Sequence, residues 1–327
     1  MERRKLGEQG LEVSAMGLGC LNMSDFYTVP EESQSIATIH RAIELGVDLL
    51  DTADCYGPHT NEQLVGRAVA DRRDSVTIAT KFGFMRDPDG TWRGLTGRPE
   101  YVHEACEASL RRLGIDYIDL YQQHCLDPDV PIEETVGAMG ELVEAGKVRY
   151  VGLSEKTGPD DIERAHAVFP VTSIQNEYSL WSREPEDGVL EATDRLGIGF
   201  LAYSPLSRGF LTGAIRTPED FGPDDYRRTL PRFQGENFQR NLDLVDMVEK
   251  LARTRGTTPA QLALAWLLNQ ADNVVPIPGT SSATHLEENL AAVGMTLSAD
   301  ELRQIEEASP AAEVAGDRYP EVDISEG

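Results

Sequence analysis

No apolar stretch in this 327-residue sequence reaches the roughly 18 residues that a membrane-spanning helix requires. The first residues, MERRKLGEQG, place no apolar segment behind their basic side chains, so we do not expect a secretory signal. These two absences predict a cytoplasmic protein. Hydrophobic residues make up 40% of the chain and charged residues 26%, which is typical of a globular domain.

Cysteine is scarce, and its spacing excludes the common zinc motifs. The chain has four cysteines, Cys20, Cys55, Cys106 and Cys125, and none forms a C-x-x-C pair. The sequence also lacks the clustered histidines and carboxylates that a metal-dependent lyase or isomerase would need. We therefore predict free thiols and no bound metal.

Positive charge is also in short supply. The chain has 30 lysines and arginines against 56 acidic residues, and its net charge of −26 argues against a nucleic-acid partner. Gly17 and Gly19 form a G-x-G pair, but the third glycine of the Rossmann dinucleotide fingerprint is missing. A phosphate-bearing ligand would need a local site of cationic side chains or backbone N–H groups.

Apolar runs typical of strands alternate with helical segments along the chain. This alternation indicates βαβ units with a parallel sheet, and eight units favour a (β/α)8 TIM barrel. We predict one domain over residues 1–327, with an N-terminal β-hairpin around Gly7–Gly10. The predicted barrel strands are Ala15–Gly19, Val47–Asp51, Val76–Lys81, Tyr117–Gln122, Val148–Leu153, Thr172–Gln175, Ile198–Tyr203 and Asn273–Pro276. The predicted helices are Glu32–Leu45, Asn61–Ala70, Tyr101–Leu113, 132–144, Pro159–Val168, Val189–Leu196, Asn241–Thr254, Pro259–Asn269 and Ala283–Ala292.

Two long loops interrupt this alternation, over residues 82–99 and 204–240. Both follow the carboxyl ends of predicted strands, which is the face where barrels carry their active sites, so we expect both loops to be functional. The polar and acidic tail, residues 310–327, is expected to be poorly ordered.

Four chemically distinctive side chains lie at strand ends on that face. Asp51, Lys81 and His124 each close a short apolar run, and Tyr56 follows the first of these runs by five residues. A lysine at the end of a buried strand needs a partner, which Asp51 can supply. Taken singly, each residue could be a cap, a ring over the barrel mouth or a structural histidine. Their joint occurrence at matching strand ends favours a catalytic group.

Together these side chains could protonate a carbonyl oxygen. A free tyrosine has a pKa of about 10, and a nearby ammonium group is expected to lower that pKa by favouring the phenolate. Tyr56 would be the proton donor, Asp51 would hold Lys81, and His124 would orient the carbonyl or assist proton transfer. No side chain can supply hydride, so a cofactor must do so.

The same residues give the chain a resemblance to the aldo-keto reductases. That family has an Asp-Tyr-Lys-His tetrad, which Asp51, Tyr56, Lys81 and His124 match, and DTADCYG resembles its D-T-A-x-x-Y-G motif. Similar blocks extend from GLGC to LEENLAA and include GLSE, QNEYSLW, AYSPLSRGFLTG and PIPGT. LNMSDFY, DPDVPIEETVG and QNEYSLWSR look most similar to YakC-like bacterial and perakine-reductase-like plant enzymes. The resemblance implies a (β/α)8 barrel that reduces aldehydes or ketones with NADP(H), or with NAD(H) as an alternative.

The resemblance also implies where the cofactor binds. Ser154 and Gln175 would hold the nicotinamide carboxamide, although Glu155 stands where many members have Asn, and Tyr203 would stack on the nicotinamide ring. The residues expected near the nicotinamide are Gly19, Cys20, Leu21 and Asp51. Those expected along the pyrophosphate are Ser204, Leu206, Ser207, Gly209 and Leu211. Those expected around the adenosine are Ile277, Gly279, Thr280, Ser281, His285, Glu288 and Asn289.

One segment, PGTSSATH, departs from the family pattern, in which basic side chains often contact the 2′-phosphate. Only hydroxyls and His285 remain there, so we predict NADPH binding with weak discrimination against NADH. Aromatic loop residues predict an apolar or aromatic carbonyl substrate, and its expected contacts are Phe26, Tyr56, Trp92, His124 and Trp181. An alternative interpretation is a cofactor-binding regulatory subunit that resembles the potassium-channel β-subunits and has little turnover. We make no prediction of the oligomeric state.

Overall fold

The computed structural model describes residues 1–27 and 29–320, which form twelve strands and ten α-helices. Within these ranges no helix has the length and apolar character needed to cross a membrane. The strands are β1 (Arg3–Lys5), β2 (Glu12–Ser14), β3 (Leu18–Gly19), β4 (Leu49–Asp51), β5 (Thr77–Phe82), β6 (Phe84–Arg86), β7 (Trp92–Leu95), β8 (Ile118–Cys125), β9 (Val148–Glu155), β10 (Val171–Glu177), β11 (Gly199–Tyr203) and β12 (Val274–Pro276). The helices are α1 (Glu32–Glu44), α2 (Thr60–Val69), α3 (Pro99–Leu113), α4 (Ile132–Glu144), α5 (Pro159–Val168), α6 (Val189–Leu196), α7 (Gly235–Arg255), α8 (Pro259–Leu268), α9 (Ala283–Leu290) and α10 (Ala299–Ala308).

Eight strands form one parallel sheet in the order β12, β11, β10, β9, β8, β5, β4, β3. A parallel bridge between Gly19, at the end of β3, and Gly279, just beyond β12, joins the two edges of the sheet. Glycine suits this closure because a Cβ on Gly19 would lie only 3.0 Å from the carbonyl oxygen of Ile277. The (β/α)8 barrel predicted from the sequence is confirmed.

The barrel strands are apolar runs because helices cover their outer face and side chains fill their inner face. β5 and β8, which carry Lys81 and His124, are buried along nearly their whole length. Left-handed glycines end several of the outer helices, such as Gly114 after α3 (φ 67°) and Gly256 after α7 (φ 72°). These local signals explain why most helix ends predicted from the sequence lie close to the observed ones.

The N-terminal hairpin, formed by β1 and β2, packs against one end of the barrel interior. Leu6 and Val13 are fully buried in a cluster that includes Leu49 and Leu201 of the barrel strands. The first residue of β11 is Gly199, where a Cβ would lie 2.5 Å from Leu6 Cδ1. Because the hairpin covers the start of these strands, the opposite end, where the strands finish, is left for a site.

The two long loops contain more regular structure than the sequence analysis expected. Residues 82–99 include the antiparallel hairpin of β6 and β7. Residues 204–240 consist of short 3₁₀ turns, and α7 begins at Gly235 rather than at Asn241. Helix α10 was not predicted, although Ser298 and Glu301 form a capping box at its start.

The C-terminal tail packs against the barrel as far as residue 320. Tyr319 lies partly buried, and its hydroxyl is 3.2 Å from that of Tyr203 at the end of β11. Poor order was expected for the whole of 310–327. For 310–320 the structure instead gives packed contacts, which come from residues distant in the sequence, and 321–327 lie outside the described residues.

Candidate active site

The four predicted catalytic side chains converge where the barrel strands end. Lys81 Nζ donates to Asp51 Oδ2 at 2.6 Å and to the carbonyl oxygen of Thr52 at 2.9 Å, and it lies 3.5 Å from the Tyr56 hydroxyl. The rings of Tyr56 and His124 lie edge to face, with their centroids 5.6 Å apart. Strand pairing explains this arrangement, because β4, β5 and β8 are adjacent in the sheet and each contributes one of its last residues.

Lys81 and Asp51 form a buried ion pair. The lysine is 0% exposed and the aspartate 4% exposed. Gln175, which lies in β10 on a distant part of the barrel, donates its Nε2 to Asp51 Oδ1 at 2.8 Å. Both carboxylate oxygens are therefore hydrogen-bonded, which is the condition under which a buried charge pair is tolerated. The sequence analysis assigned Gln175 to the cofactor only and missed this contact.

The acidity of Tyr56 differs from the sequence-based expectation. Burial raises the pKa of Tyr56 well above 10, and the Asp51 carboxylate raises it further. We expected Lys81 to lower this pKa, but burial and the charge of Asp51 outweigh its effect, so the net shift has the opposite direction. The ammonium group pairs with Asp51 at 2.6 Å and lies farther, at 3.5 Å, from the phenol oxygen. The phenol is therefore protonated at neutral pH.

His124 is held as a neutral imidazole. Burial lowers the pKa of His124 well below 6.5, and the charge of Lys81 lowers it further. Cys55 Sγ lies 3.7 Å from His124 Nδ1, and burial raises the pKa of the Cys55 thiol well above 9.0. A protonated thiol that donates to Nδ1 places the proton of the neutral ring on Nε2, and we adopt this tautomer.

An aromatic cluster from the segment after β5 packs on one side of His124. Phe84 in β6 lies edge to face with His124 at a centroid distance of 5.0 Å, and Trp92 in β7 lies 6.0 Å from Phe84. The Arg86 guanidinium lies 4.7 Å from the ring centre of Trp92 and 5.7 Å from that of Phe26. Trp92 therefore reaches His124 through Phe84. Phe26 joins the same cluster through Arg86, so both predicted substrate contacts lie in one cluster with His124.

Trp181, the remaining predicted substrate contact, lies in the core. It is 2% exposed, packs on Phe210 at a centroid distance of 5.4 Å, and donates its indole N–H to Ser309 Oγ at 3.0 Å. A large apolar side chain with a satisfied N–H is stable in such a position, so we do not retain it as a substrate contact. Most of the predicted cofactor residues are also buried, both the apolar Leu211 (0% exposed) and Ile277 (3%) and the polar Ser154 and Gln175 (2% each).

The loop from Ser204 to Gly209 has an unusual backbone. Ser204, Ser207, Arg208 and Gly209 have φ angles of 46°, 47°, 58° and 89°, so three non-glycine residues occupy the left-handed region. Arg208 Nη2 is buried, has no hydrogen-bond partner among the described residues, and lies 3.7 Å from Glu177. A guanidinium N–H with spare capacity beside such a loop fits a phosphate group, which agrees with the predicted pyrophosphate position.

The predicted adenosine segment lies around the start of α9. Thr280 Oγ1 accepts from the N–H of Ser282 at 3.1 Å, and Ser282 Oγ accepts from the N–H of His285 at 3.4 Å. The carbonyl oxygen of Ser281 accepts from Thr38 of α1 at 2.9 Å. The hydroxyl oxygens of Thr280 and Ser282 therefore accept hydrogen bonds from the neighbouring backbone. Of the other predicted residues here, Gly279 closes the barrel, Glu288 is partly exposed and Asn289 is buried.

Sequence reasoning missed a charged cluster at the end of β10. Glu177, 1% exposed at the end of β10, is surrounded at 3.6–3.8 Å by the guanidinium groups of Arg208, Arg232 and Arg318. Arg318 comes from the tail that was expected to be poorly ordered. The sequence feature that could have indicated this contact is the Arg-Tyr-Pro sequence at residues 318–320, within an otherwise acidic segment.

Comparison with known proteins identifies the family. The model of the Aldo/keto reductase family matches residues 15–310. The chain belongs to the aldo/keto reductase family. The family prediction made from the tetrad is thereby confirmed, and so is the prediction of an oxidoreductase.

Solved structures of other members resemble this aldo/keto reductase over nearly its whole length. The glycerol dehydrogenase from Gluconobacter oxydans is 28% identical, with a TM-score of 0.86 and coverage of 98% of both chains. An aldo-keto reductase from Bacillus halodurans, in its holo form, is 32% identical, with a TM-score of 0.79 and coverage of 95% of this chain and 97% of that one. A thermostable aldo-keto reductase in complex with the inhibitor epalrestat is 30% identical, with a TM-score of 0.76 and coverage of 94% and 100%.

Proposed function

We propose that this protein uses NADPH to reduce an aldehyde or ketone to an alcohol. The observation that carries the proposal is the convergence of Tyr56, Lys81, Asp51 and His124 at the carboxyl ends of adjacent strands. A reduced nicotinamide would supply the hydride, which none of these side chains can provide. The residues of the chain hold the carbonyl oxygen, supply its proton and exclude water.

Tyr56 gives its proton to the carbonyl oxygen. The raised pKa of Tyr56 keeps the hydroxyl protonated at neutral pH, so the acid form is always present. The phenolate that forms lies 3.5 Å from the Lys81 ammonium, whose charge favours it. Asp51 and Gln175 hold Lys81 in place before the reaction, so little reorganisation is needed as charge develops.

His124 orients the carbonyl group. Because the ring is neutral and Cys55 lies against Nδ1, the N–H of Nε2 is the donor that can contact the carbonyl oxygen. Phe84 packs edge to face on the imidazole, Trp92 packs on Phe84, and this aromatic cover reduces the contact of the imidazole with water. Hydrogen bonds in such an environment are stronger than in bulk solvent.

We place the cofactor across the carboxyl-terminal end of the barrel, from Tyr203 to α9. Ser154 and Gln175 would hold the carboxamide, and Tyr203 would carry the nicotinamide ring. Support for the pyrophosphate position comes from the left-handed backbone of 204–209 and from the unsatisfied Nη2 of Arg208. The predicted residues at α9, and the backbone around Gly19 and Leu21, would complete the site.

The 2′-phosphate has few cationic partners in this proposal. Arg41 of α1 lies beside α9, but its guanidinium already pairs with Glu287 at 2.8 Å and with Glu44 at 3.1 Å. Thr280 and Ser282 use their hydroxyls on the local backbone. A charge-assisted hydrogen bond from a cationic side chain to the 2′-phosphate would contribute about 1.5–3 kcal/mol to NADPH binding. Its absence narrows the preference for NADPH over NADH.

The aromatic surroundings of His124 support an apolar or aromatic carbonyl substrate. One structural neighbour is a glycerol dehydrogenase, so a small polar carbonyl compound is the natural comparison.

A panel with an aromatic aldehyde and glyceraldehyde, in which NADPH consumption is followed by absorbance, tests the proposal. Turnover of either compound supports it, and faster turnover of the aromatic aldehyde supports the substrate class. Tight NADPH binding without turnover of any carbonyl would favour a regulatory subunit. The likeness to the YakC-like and perakine-reductase-like subgroup and the cytoplasmic location remain predictions.

A further inference from the structure

The segment after α10 is anchored by buried contacts. Asn241 of α7, which is fully buried, accepts from the N–H of Ala315 at 2.8 Å and donates to its carbonyl oxygen at 2.9 Å. Gly316 follows with φ 84°, and a Cβ there would lie 2.8 Å from the carbonyl carbon of Pro231. Glycine is therefore required at this turn. These contacts fix the direction of the chain, and we call residues 315–320 the latch.

The latch ends on three elements that border the proposed cofactor groove. The hydroxyl of Tyr319 lies 3.2 Å from that of Tyr203, and the guanidinium of Arg208 lies 5.1 Å from the ring centre of Tyr319. Arg318 Nη2 lies 3.5 Å from Glu155 Oε2. Two adjacent residues of the latch thus connect the ends of β9 and β11 with the left-handed loop.

Each of these contacts involves a residue at or next to a proposed cofactor contact. Tyr203 is the proposed support of the nicotinamide ring, and Glu155 directly follows Ser154, which is proposed to hold the carboxamide. Arg208 belongs to the loop proposed for the pyrophosphate. The latch therefore contacts residues of the nicotinamide and pyrophosphate half of the groove, and these contacts do not involve the α9 half.

Charge balance gives Arg318 a defined role. Glu155 and Glu177 both lie near the groove, and Arg318 is 3.5 Å from the first and 3.8 Å from the second. Glu177 is 1% exposed, so its charge is poorly screened by solvent. Without Arg318, the negative charge of both carboxylates would be less compensated and would repel the phosphates of a dinucleotide.

We infer that Arg318 and Tyr319 are positioning residues for the nicotinamide half of the cofactor site. Tyr319 fixes the Tyr203 ring through the hydroxyl contact and fixes Arg208 through a cation–π contact. Arg318 compensates the carboxylates beside Ser154. This inference rests on the proposed function, because it assumes that a dinucleotide binds against Tyr203.

Isothermal titration calorimetry with two probes tests the inference. NADPH reports on the whole groove, whereas adenosine 2′-monophosphate, which carries no part of the pyrophosphate, reports on the α9 half alone. Tyr319→Ala and Arg318→Met should each raise the Kd for NADPH about five- to tenfold, the effect of losing roughly one good polar contact. The Kd for adenosine 2′-monophosphate should stay within about twofold of the wild-type value. Tyr319→Phe, which keeps the ring over Arg208, and Arg318→Lys, which keeps the charge, should show smaller increases.

A matched control and the melting temperature separate positioning from folding. Glu313→Gln alters an exposed residue of the same tail and should leave both Kd values unchanged. Unchanged NADPH binding in Tyr319→Ala and Arg318→Met would overturn the inference. Tighter NADPH binding would also overturn it, because the latch would then compete with the cofactor. Equal weakening of both probes with a lower Tm would point to a structural role instead. If the wild-type protein binds neither probe, the proposed function itself fails.

Discussion

The buried ion pair of Lys81 and Asp51 leads to a quantitative prediction for stability. Lys81→Met removes an ammonium group that contacts Asp51 at 2.6 Å and the carbonyl oxygen of Thr52 at 2.9 Å. Among the described residues, the carboxylate of Asp51, which is 4% exposed, would then retain only the amide of Gln175, at 2.8 Å. A buried carboxylate without its cation destabilises a protein by about 3–5 kcal/mol. We therefore expect the free energy of unfolding to fall by about that amount.

The double variant Asp51→Asn/Lys81→Met separates unpaired charge from lost packing. It removes both charges but leaves an amide that can still bond Gln175, so at least about half of the lost stability should return. Urea unfolding followed by circular dichroism, without cofactor, measures both variants. Arg303→Met is the control, because Arg303 is 60% exposed in its pair with Asp300 and should barely move the midpoint. A Lys81→Met variant as stable as this control would refute the reasoning.

Carbonyl reduction should keep a level rate across neutral pH, because the pKa of Tyr56 is raised above 10 and that of His124 is lowered below 6.5. Alcohol oxidation needs the phenolate and should rise with pH, and a reduction rate that falls between about pH 7 and 9 would contradict the assignment. The ratio of kcat/KM for NADPH over NADH should lie below roughly a thousandfold, and steady-state kinetics with both cofactors measures it. Gly199→Ala should cost about 1–3 kcal/mol in urea unfolding, because its Cβ would lie 2.5 Å from Leu6 Cδ1. Gly137→Ala is its control, because in α4 nothing lies within 4 Å of the added carbon, and equal stability of the two variants would contradict the packing argument.

The tetrad could be located from the sequence because its parts are local. Asp51, Lys81 and His124 each close an apolar run, and parallel strands bring such ends to one face. The contact of Gln175 with Asp51 joins residues 124 positions apart and has no local signal. The pKa of Tyr56 was predicted in the wrong direction for a related reason. This pKa depends mainly on how deeply Tyr56 is buried, which cannot be derived from the sequence alone.

Helix ends were well predicted where the chain carries its own stop signals, such as Gly114 after α3. The hairpin of β6 and β7 was missed because its strands are short and only partly buried. The latch was missed because Asn241, 74 residues away, anchors it. An acidic composition was a poor guide there, since Arg318 and Tyr319 make their contacts with residues from distant strands and loops.

The variant Tyr56→Phe provides the most direct test of the central claim, that this phenol delivers the proton to the carbonyl oxygen. The substitution removes one oxygen atom and retains the ring that packs on His124. With the best carbonyl substrate of the panel, kcat should fall by about a hundredfold or more. The Kd for NADPH, measured by titration, should stay within about twofold of the wild-type value. Undiminished turnover in a variant that still binds NADPH would contradict the account.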